Sequence, residues 1–215
     1  MHRKHHQRSA AVVVALLLAS LLAWPTAALA QLPQFPQLPT ASTVTGQATV
    51  VQATVLGLLG TATTTTLAAT APLASTSDAQ DASQLTGSVP SLLSAETLSA
   101  ATIGYPDQVD SVASLGSLSL NVAGVSISAD LIMAQAMQAL GAAASGSSSL
   151  DNLAVNGTPI AISGAPNQTV SIPGGQIVIN EQTVSSTGAF VVNALHVTLN
   201  GVVDVVLASA TAGIS

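Results

Sequence analysis

The sequence predicts an all-β domain, a single antiparallel β-sandwich or β-roll built from hairpins and preceded by a signal peptide. Three observations lead to this fold class. Apolar and polar residues alternate with period two along short runs, as in strands with one buried face. These runs are rich in Val, Ile and Thr, which favour strands. Turn-forming groups, among them Asn156-Gly157 and Pro173-Gly174-Gly175, separate the runs at hairpin spacing.

The first thirty residues have the three parts of a secretory signal peptide. A basic start at residues 3–8 precedes an apolar run at residues 10–23, which is too short to span a bilayer comfortably. Ala28 and Ala30 place small residues at the two positions that a signal peptidase reads, so cleavage is predicted between Ala30 and Gln31. An uncleaved N-terminal anchor is the alternative.

The chain is therefore predicted to have three parts. Residues 1–30 are the signal peptide, and residues 31–43 are a spacer whose prolines favour an extended conformation. Residues 44–215 form the β-rich domain. Its length is sufficient for one domain with its own hydrophobic core.

Charge restricts what the secreted chain can bind. All 3 Lys and Arg residues lie before residue 9, whereas all 9 Asp and Glu residues lie after residue 30, so the charge after cleavage is 0 − 9 = −9. A chain without basic side chains cannot neutralise phosphates, which excludes nucleic acid as a partner and also attraction to anionic lipid. The chain has no cysteine, so disulfides and cysteine-based sites are excluded.

The first half of the domain is predicted to contain strands at Ala48–Gly57, Thr61–Thr70 and Leu92–Ile103, because these segments have the composition of strands. The segment Ala74–Thr86 lacks strand periodicity and is predicted to be a loop. A turn is predicted at Gly104-Tyr105-Pro106-Asp107.

The segment Val112–Met137 alternates on both sides of Ala123-Gly124, which predicts two strands joined by a turn or bulge. The second strand would place five residues on one face, namely Val125, Ile127, Ala129, Leu131 and Met133. Good helix formers make a helix over residues 130–140 the competing prediction, but the alternation favours a strand. Residues 141–149 are predicted to be a flexible loop.

The C-terminal third is predicted to form three hairpins. Their strand pairs are Leu153–Val155 with Thr158–Ile162, Gln168–Ile172 with Gln176–Asn180, and Phe190–Leu199 with Val202–Ala208. A two-residue turn at Asn200-Gly201 would place Leu199 opposite Val202. Asp204 would then be at least partly buried on the apolar face, with His196 on the other face. A bulge after the turn would instead bring His196 and Asp204 to the same face.

Two segments carry a family resemblance: NLAVNGTPIAISGAPNQTVSIPGGQIVINEQ and VVNALHVTLNGVVDVVLASATAGI. With them, the chain resembles the choice-of-anchor P family of exported bacterial proteins. The resemblance covers nearly all of the chain after the signal peptide. It implies a β-rich fold and an exported location, secreted or peripherally held at the cell surface, more than it implies a chemistry.

Residue chemistry predicts no catalytic, cofactor-binding or metal-ligating site. His196 with Asp204 is the one candidate for a Ser-His-Asp triad, but an ordinary strand histidine is the preferred interpretation. Glu181 is predicted to accept hydrogen bonds from turn N–H groups. Calcium is the ion that unpaired carboxylates and loop carbonyls would suit best.

We therefore predict a non-enzymatic structural or adhesive protein of the bacterial envelope or the extracellular space, able to associate with itself or with an extracellular surface. No membrane span is predicted after cleavage. The alternatives are a soluble module that binds a glycan or a protein and, third, a hydrolase that uses paired carboxylates.

Overall fold

The computed structural model describes residues 41, 43–57, 60–199 and 201–215. The predicted signal peptide with Ala28, Ala30 and Gln31, and most of the predicted spacer, lie outside the described residues. Within the described residues the regular elements are all strands, with no helix. The thirteen strands are β1 Val44–Leu56, β2 Ala62–Ala69, β3 Ala79–Val89, β4 Leu93–Tyr105, β5 Gln108–Val122, β6 Val125–Ala139, β7 Ser145–Asp151, β8 Ala154–Val155, β9 Thr158–Pro159, β10 Gln168–Ile172, β11 Gly175–Val184, β12 Phe190–Leu199 and β13 Val203–Ile214.

The strands form two antiparallel sheets. The first sheet has the order β10-β11-β12-β13-β1-β2, so the first long strand pairs with the last one. The second sheet has the order β3-β4-β5-β6-β8-β9, and β7 also pairs with β6. The strands β7 and β8 follow one another along the same edge of β6, opposite Leu131–Met137 and Ile127-Ser128 respectively.

The inward faces of the two sheets pack together and form the hydrophobic core. In the centre, β13 contacts both β5 and β6 of the other sheet. The largest fully buried side chains come from both sheets and include Leu115, Ile132, Leu195 and Leu207. The predicted all-β sandwich is therefore confirmed.

A crease crosses the first sheet at right angles to its strands. The registers place Ala68, Val50, Ala208, Ala194 and Asn180 in one row across five strands, and the regular pairing skips this row. Three of the five residues have positive φ, at 45° for Ala68, 52° for Ala208 and 53° for Asn180. At this row the alternation of inward and outward side chains shifts by one residue.

The second sheet has a crease of the same kind. Thr97 and Ser117 have φ of 49° and 50°, and Asn152 between β7 and β8 has φ of 54°. Asp130 lies in β6 at this row, and its Oδ2 accepts a hydrogen bond from Asn152 Nδ2 at 2.7 Å. The buried residues of β6 therefore change from Val125, Ile127 and Ala129 to the even-numbered positions that begin at Ile132.

Several sequence predictions are confirmed. The strands predicted in the first half correspond to β1, β2 and β4, and residues 130–139 belong to strand β6 rather than to a helix. The Asn156-Gly157 turn has two residues, because Val155 pairs with Thr158. The Ala123-Gly124 turn also has two, because Val122 pairs with Val125.

Three predictions are wrong. The segment Ala74–Thr86 is not all loop, because Ala79–Val89 forms the edge strand β3. Residues 145–149 belong to β7 rather than to a flexible loop. Leu131 and Met133 do not share the inward face of Val125, because the crease at Asp130 turns them to the outer face.

Candidate functional site

The candidate site from sequence, His196, lies near the middle of the first sheet on its outer face. It belongs to β12, between Val178 of β11 and Val206 of β13. Its neighbours in β12, Leu195 and Val197, are fully buried in the core. Strict alternation on this side of the crease therefore holds the imidazole against the outer surface of the sheet.

The imidazole lies between two carboxylates. Its Nδ1 is 2.9 Å from Glu181 Oε2, within hydrogen-bond distance. Its Nε2 is 3.3 Å from Asp204 Oδ1, an ion-pair contact whose geometry does not form a hydrogen bond. The side chains of His196 and Glu181 are 20 % and 21 % exposed, whereas that of Asp204 is 56 % exposed. We call Glu181, His196, Asp204 and Asn193 the imidazole cluster.

The length of the last hairpin loop places Asp204 in this cluster. Leu199 pairs with Val203 and not with Val202, so the loop has three residues, of which Asn200 lies outside the described part. The carbonyl of Val202 accepts a hydrogen bond from Leu56 N at 2.9 Å, which draws Val202 toward β1. The predicted two-residue turn and the predicted burial of Asp204 are therefore wrong, and the bulged alternative gives the observed face.

The crease places Glu181 in the cluster. Ile177 and Ile179 point into the core, so strict alternation would turn Glu181 inward as well. The left-handed Asn180 shifts the alternation, and Glu181 emerges on the outer face. There it accepts a hydrogen bond from Asn193 Nδ2 at 2.6 Å, so the prediction that it binds turn N–H groups is wrong.

The two ring nitrogens of His196 link three neighbouring strands. Both nitrogens of His196 face carboxylate oxygens, at 2.9 and 3.3 Å, so neither is directed at a hydroxyl group. The cluster therefore joins β11, β12 and β13 through side-chain contacts on the outer face of the sheet.

The other carboxylates do not assemble a metal site in the part of the chain that the structure describes. There, no three His, Asp or Glu side chains converge on a point where a metal ion could be held. Asp78 accepts a hydrogen bond from Ala74 N at 2.8 Å and another from the amide of Gln80 at 2.9 Å. These two donors, Ala74 first, lower the pKa of the Asp78 carboxyl below its ordinary value of 3.8.

Sequence reasoning identified three members of the imidazole cluster but missed Asn193. Asn193 and His196 are three residues apart, a spacing that puts side chains on opposite faces of a regular strand. They share a face because Ala194, between them, belongs to the crease. Nothing in the local sequence signals that shift, since Ala194 itself is an ordinary strand residue.

Comparisons with known proteins add no relative. No protein family, curated protein or solved structure matches the chain. Among the residues described, the structure contains no helix with the length and hydrophobicity needed to cross a membrane.

Proposed function

We propose that this chain is an exported protein of the bacterial envelope or the extracellular space, with a structural or adhesive role and no catalytic activity of its own. The observation that carries the proposal is the outer face of the first sheet. One row across five strands consists of Gln176, Thr198, Asp204, Thr54 and Thr64. Such a row offers hydroxyl, amide and carboxylate groups to a partner surface, with no groups arranged for bond cleavage.

The row is held in place by its own contacts. Thr54 and Thr64 share a hydrogen bond between their hydroxyl oxygens at 2.9 Å. Asp204 contacts His196. A surface whose polar groups are ordered in advance loses less conformational entropy when it binds, which suits an adhesive role. The predicted signal peptide and the resemblance to the choice-of-anchor P family support export.

Export is tested with the full chain expressed in a bacterial host. We expect cleavage after Ala30 and recovery of a chain that begins at Gln31 outside the cytoplasm. The matched variant Ala30→Asp removes the small residue at the cleavage site and should leave the leader attached. Recovery of the uncleaved wild-type chain from the cytoplasm would refute the export proposal.

The structural role is tested by size-exclusion chromatography with light scattering on residues 31–215, with calcium and with a chelator. Large assemblies would support a structural role, and their loss with chelator would identify calcium as part of it. A protein that stays monomeric both with calcium and with chelator would favour the second candidate, a binding module.

One observation favours that second candidate, a soluble module that binds a glycan or a protein. The outer face of the second sheet contains a groove with a single carboxylate, Asp110, among its lining residues. A hydrolase using paired carboxylates needs a second acidic group facing the first across the substrate. The lining therefore suits binding better than hydrolysis.

A further inference from the structure

The groove lies on the outer face of the second sheet and crosses four strands, β4 to β7. Its volume is about 550 Å³. Two neighbouring rows of side chains form most of it. One row runs Ile103, Asp110, Met137, Ser145, and the other runs Ala101, Val112, Gln135, Ser147.

The groove exposes large apolar side chains to solvent. Ile103 is 38 % exposed and Met137 is 43 % exposed, and Val112 lies in the next row between them. Large exposed apolar side chains are ordinary when scattered, but together in a concave site they mark a binding surface. Methionine adapts its shape to different apolar partners, which suits such a surface.

One carboxylate lies among these apolar side chains. Asp110 is partly buried in the row between Ile103 and Met137. Gln108 Nε2 donates hydrogen bonds to its two oxygens at 2.8 and 2.9 Å, which fixes the orientation of the carboxylate. The sequence has no Lys or Arg after Arg8, so no basic side chain from residues 9–215 can neutralise this carboxylate.

The charge of the whole face has the same sign. Five of the nine acidic residues lie on the outer face of the second sheet, and no basic side chain lies among them: Asp81, Glu96, Asp110, Asp130 and Asp151. The first sheet differs, because each of its two carboxylates contacts a ring nitrogen of His196. The groove therefore lies within a field that attracts cations and repels anions.

We propose that this groove binds an extended segment of a partner protein that carries Lys or Arg side chains. The alkyl part of one such side chain would cover Val112 and Met137, and its cationic head would pair with Asp110. Four strands about 4.8 Å apart span about 14 Å, the length of roughly four residues of extended chain. The groove thus matches a short peptide segment in length and in charge.

The chain provides its own reporters for a binding experiment. Of its 3 methionines, one is Met1, so a chain of residues 31–215 retains only Met133 and Met137. Met137 lines the groove. Met133 lies on the same outer face, one row beyond the edge of the groove. Methyl-labelled methionine would therefore give two NMR signals, one inside the groove and one beside it.

The probe is an acetylated and amidated hexapeptide in which Lys alternates with Ala, titrated into residues 31–215. Two peptides of the same length, with Gln or Glu in place of Lys, serve as controls, and a neutral hexasaccharide represents the glycan alternative. We expect the Lys peptide alone to shift the Met137 methyl signal, and to shift it more than the Met133 signal. Binding should weaken as salt is added, because exposed charges are screened.

Two variants with the same charge change locate the contact. Asp110→Asn removes the carboxylate in the groove, and Asp151→Asn removes an exposed carboxylate on the same face outside it. We expect Asp110→Asn to weaken Lys-peptide binding about fivefold or more, and Asp151→Asn to change it less than about twofold. Their circular dichroism spectra check that both variants are folded.

Several results would overturn the inference. These are equal binding of the Lys and Gln peptides, equal effects of the two variants, or a Met137 shift caused by the saccharide and not by the peptide. Failure here would leave the adhesive proposal standing, because that proposal concerns export and the first sheet and is measured on cells and assemblies.

Discussion

The two carboxylates that flank His196 differ in how firmly they hold it. Glu181 is the closer partner, at 2.9 Å, and it is about as shielded as the imidazole itself. Asp204 is 3.3 Å away and more than half exposed, so water competes for its charge. The contact with Glu181 should therefore contribute more to stability than the contact with Asp204.

Double-mutant cycles in urea unfolding measure this difference. The cycles combine His196→Ala with Glu181→Gln in one case and with Asp204→Asn in the other. We expect a coupling free energy of about 1 kcal/mol for the Glu181 pair and about 0.3 kcal/mol for the Asp204 pair. A larger coupling for Asp204 would contradict the observed geometry.

At the scale of the strand and its turns, the sequence predicts an element correctly where its residue types favour the conformation that they adopt. Asn156-Gly157 has φ of 49° and 76°, which Asn and Gly adopt readily, and the two-residue turn was predicted from that pair. The edge strand β3 was missed because Gln80 and Ala82, which face inward, provide no apolar alternation. Edge strands bury less and therefore show a weaker pattern.

The creases could not be predicted, because Ala, Thr or Ser occupies most of their left-handed positions. Ala68 and Ala208 have the same φ sign as a turn glycine, yet alanine gives no sign of this in the sequence. The face assignments of Leu131 and Met133, which were made across the crease at Asp130, were therefore displaced by one residue. The composition of the imidazole cluster depends on the equivalent displacement at Asn180 and Ala194 in the first sheet.

The turn at Ala123-Gly124 offers a test of turn chemistry. Ala123 has φ of 48° in a two-residue turn, a conformation that is unfavourable for alanine and that asparagine adopts more easily. We expect Ala123→Asn to raise the free energy of unfolding by about 1 kcal/mol, measured by chemical denaturation.

The equivalent turn at Asn156 provides the reverse experiment. Asn156→Ala should lower the free energy of unfolding by about 2 kcal/mol, because it adds the same strain and removes the Oδ1 that accepts from Ser126 N at 2.9 Å. Destabilisation by Ala123→Asn would mean that the left-handed turn is not the conformation in solution.

At the scale of the whole molecule, the charge distribution sets how stability responds to salt. The carboxylates of the second sheet lie on one face with no basic side chain among the described residues to separate them. Their mutual repulsion is stronger in the compact state than in the unfolded chain. Added salt should therefore stabilise the folded state.

We expect the Tm of residues 31–215 to rise by about 2–4 °C when NaCl increases from about 10 mM to about 1 M, as the Debye length falls from about 30 to about 3 Å. A variant with amides in place of the five carboxylates of this face is the control, and its Tm should respond less. Equal changes in Tm for the two proteins would show that salt acts by strengthening the hydrophobic effect rather than by screening charge.

The pairing of β1 with β13 also determines how the domain would carry a mechanical load. Val44 lies opposite Ile214, and Thr43 and Ser215 exchange two backbone hydrogen bonds of 2.9 and 3.1 Å beside them. Tension applied between Thr43 and Ser215 would break the hydrogen bonds between β1 and β13 one pair after another, starting at this end, and would therefore need little force. A domain of this architecture would bear tension best when one attachment is near a chain terminus and the other is on the outer face of a sheet.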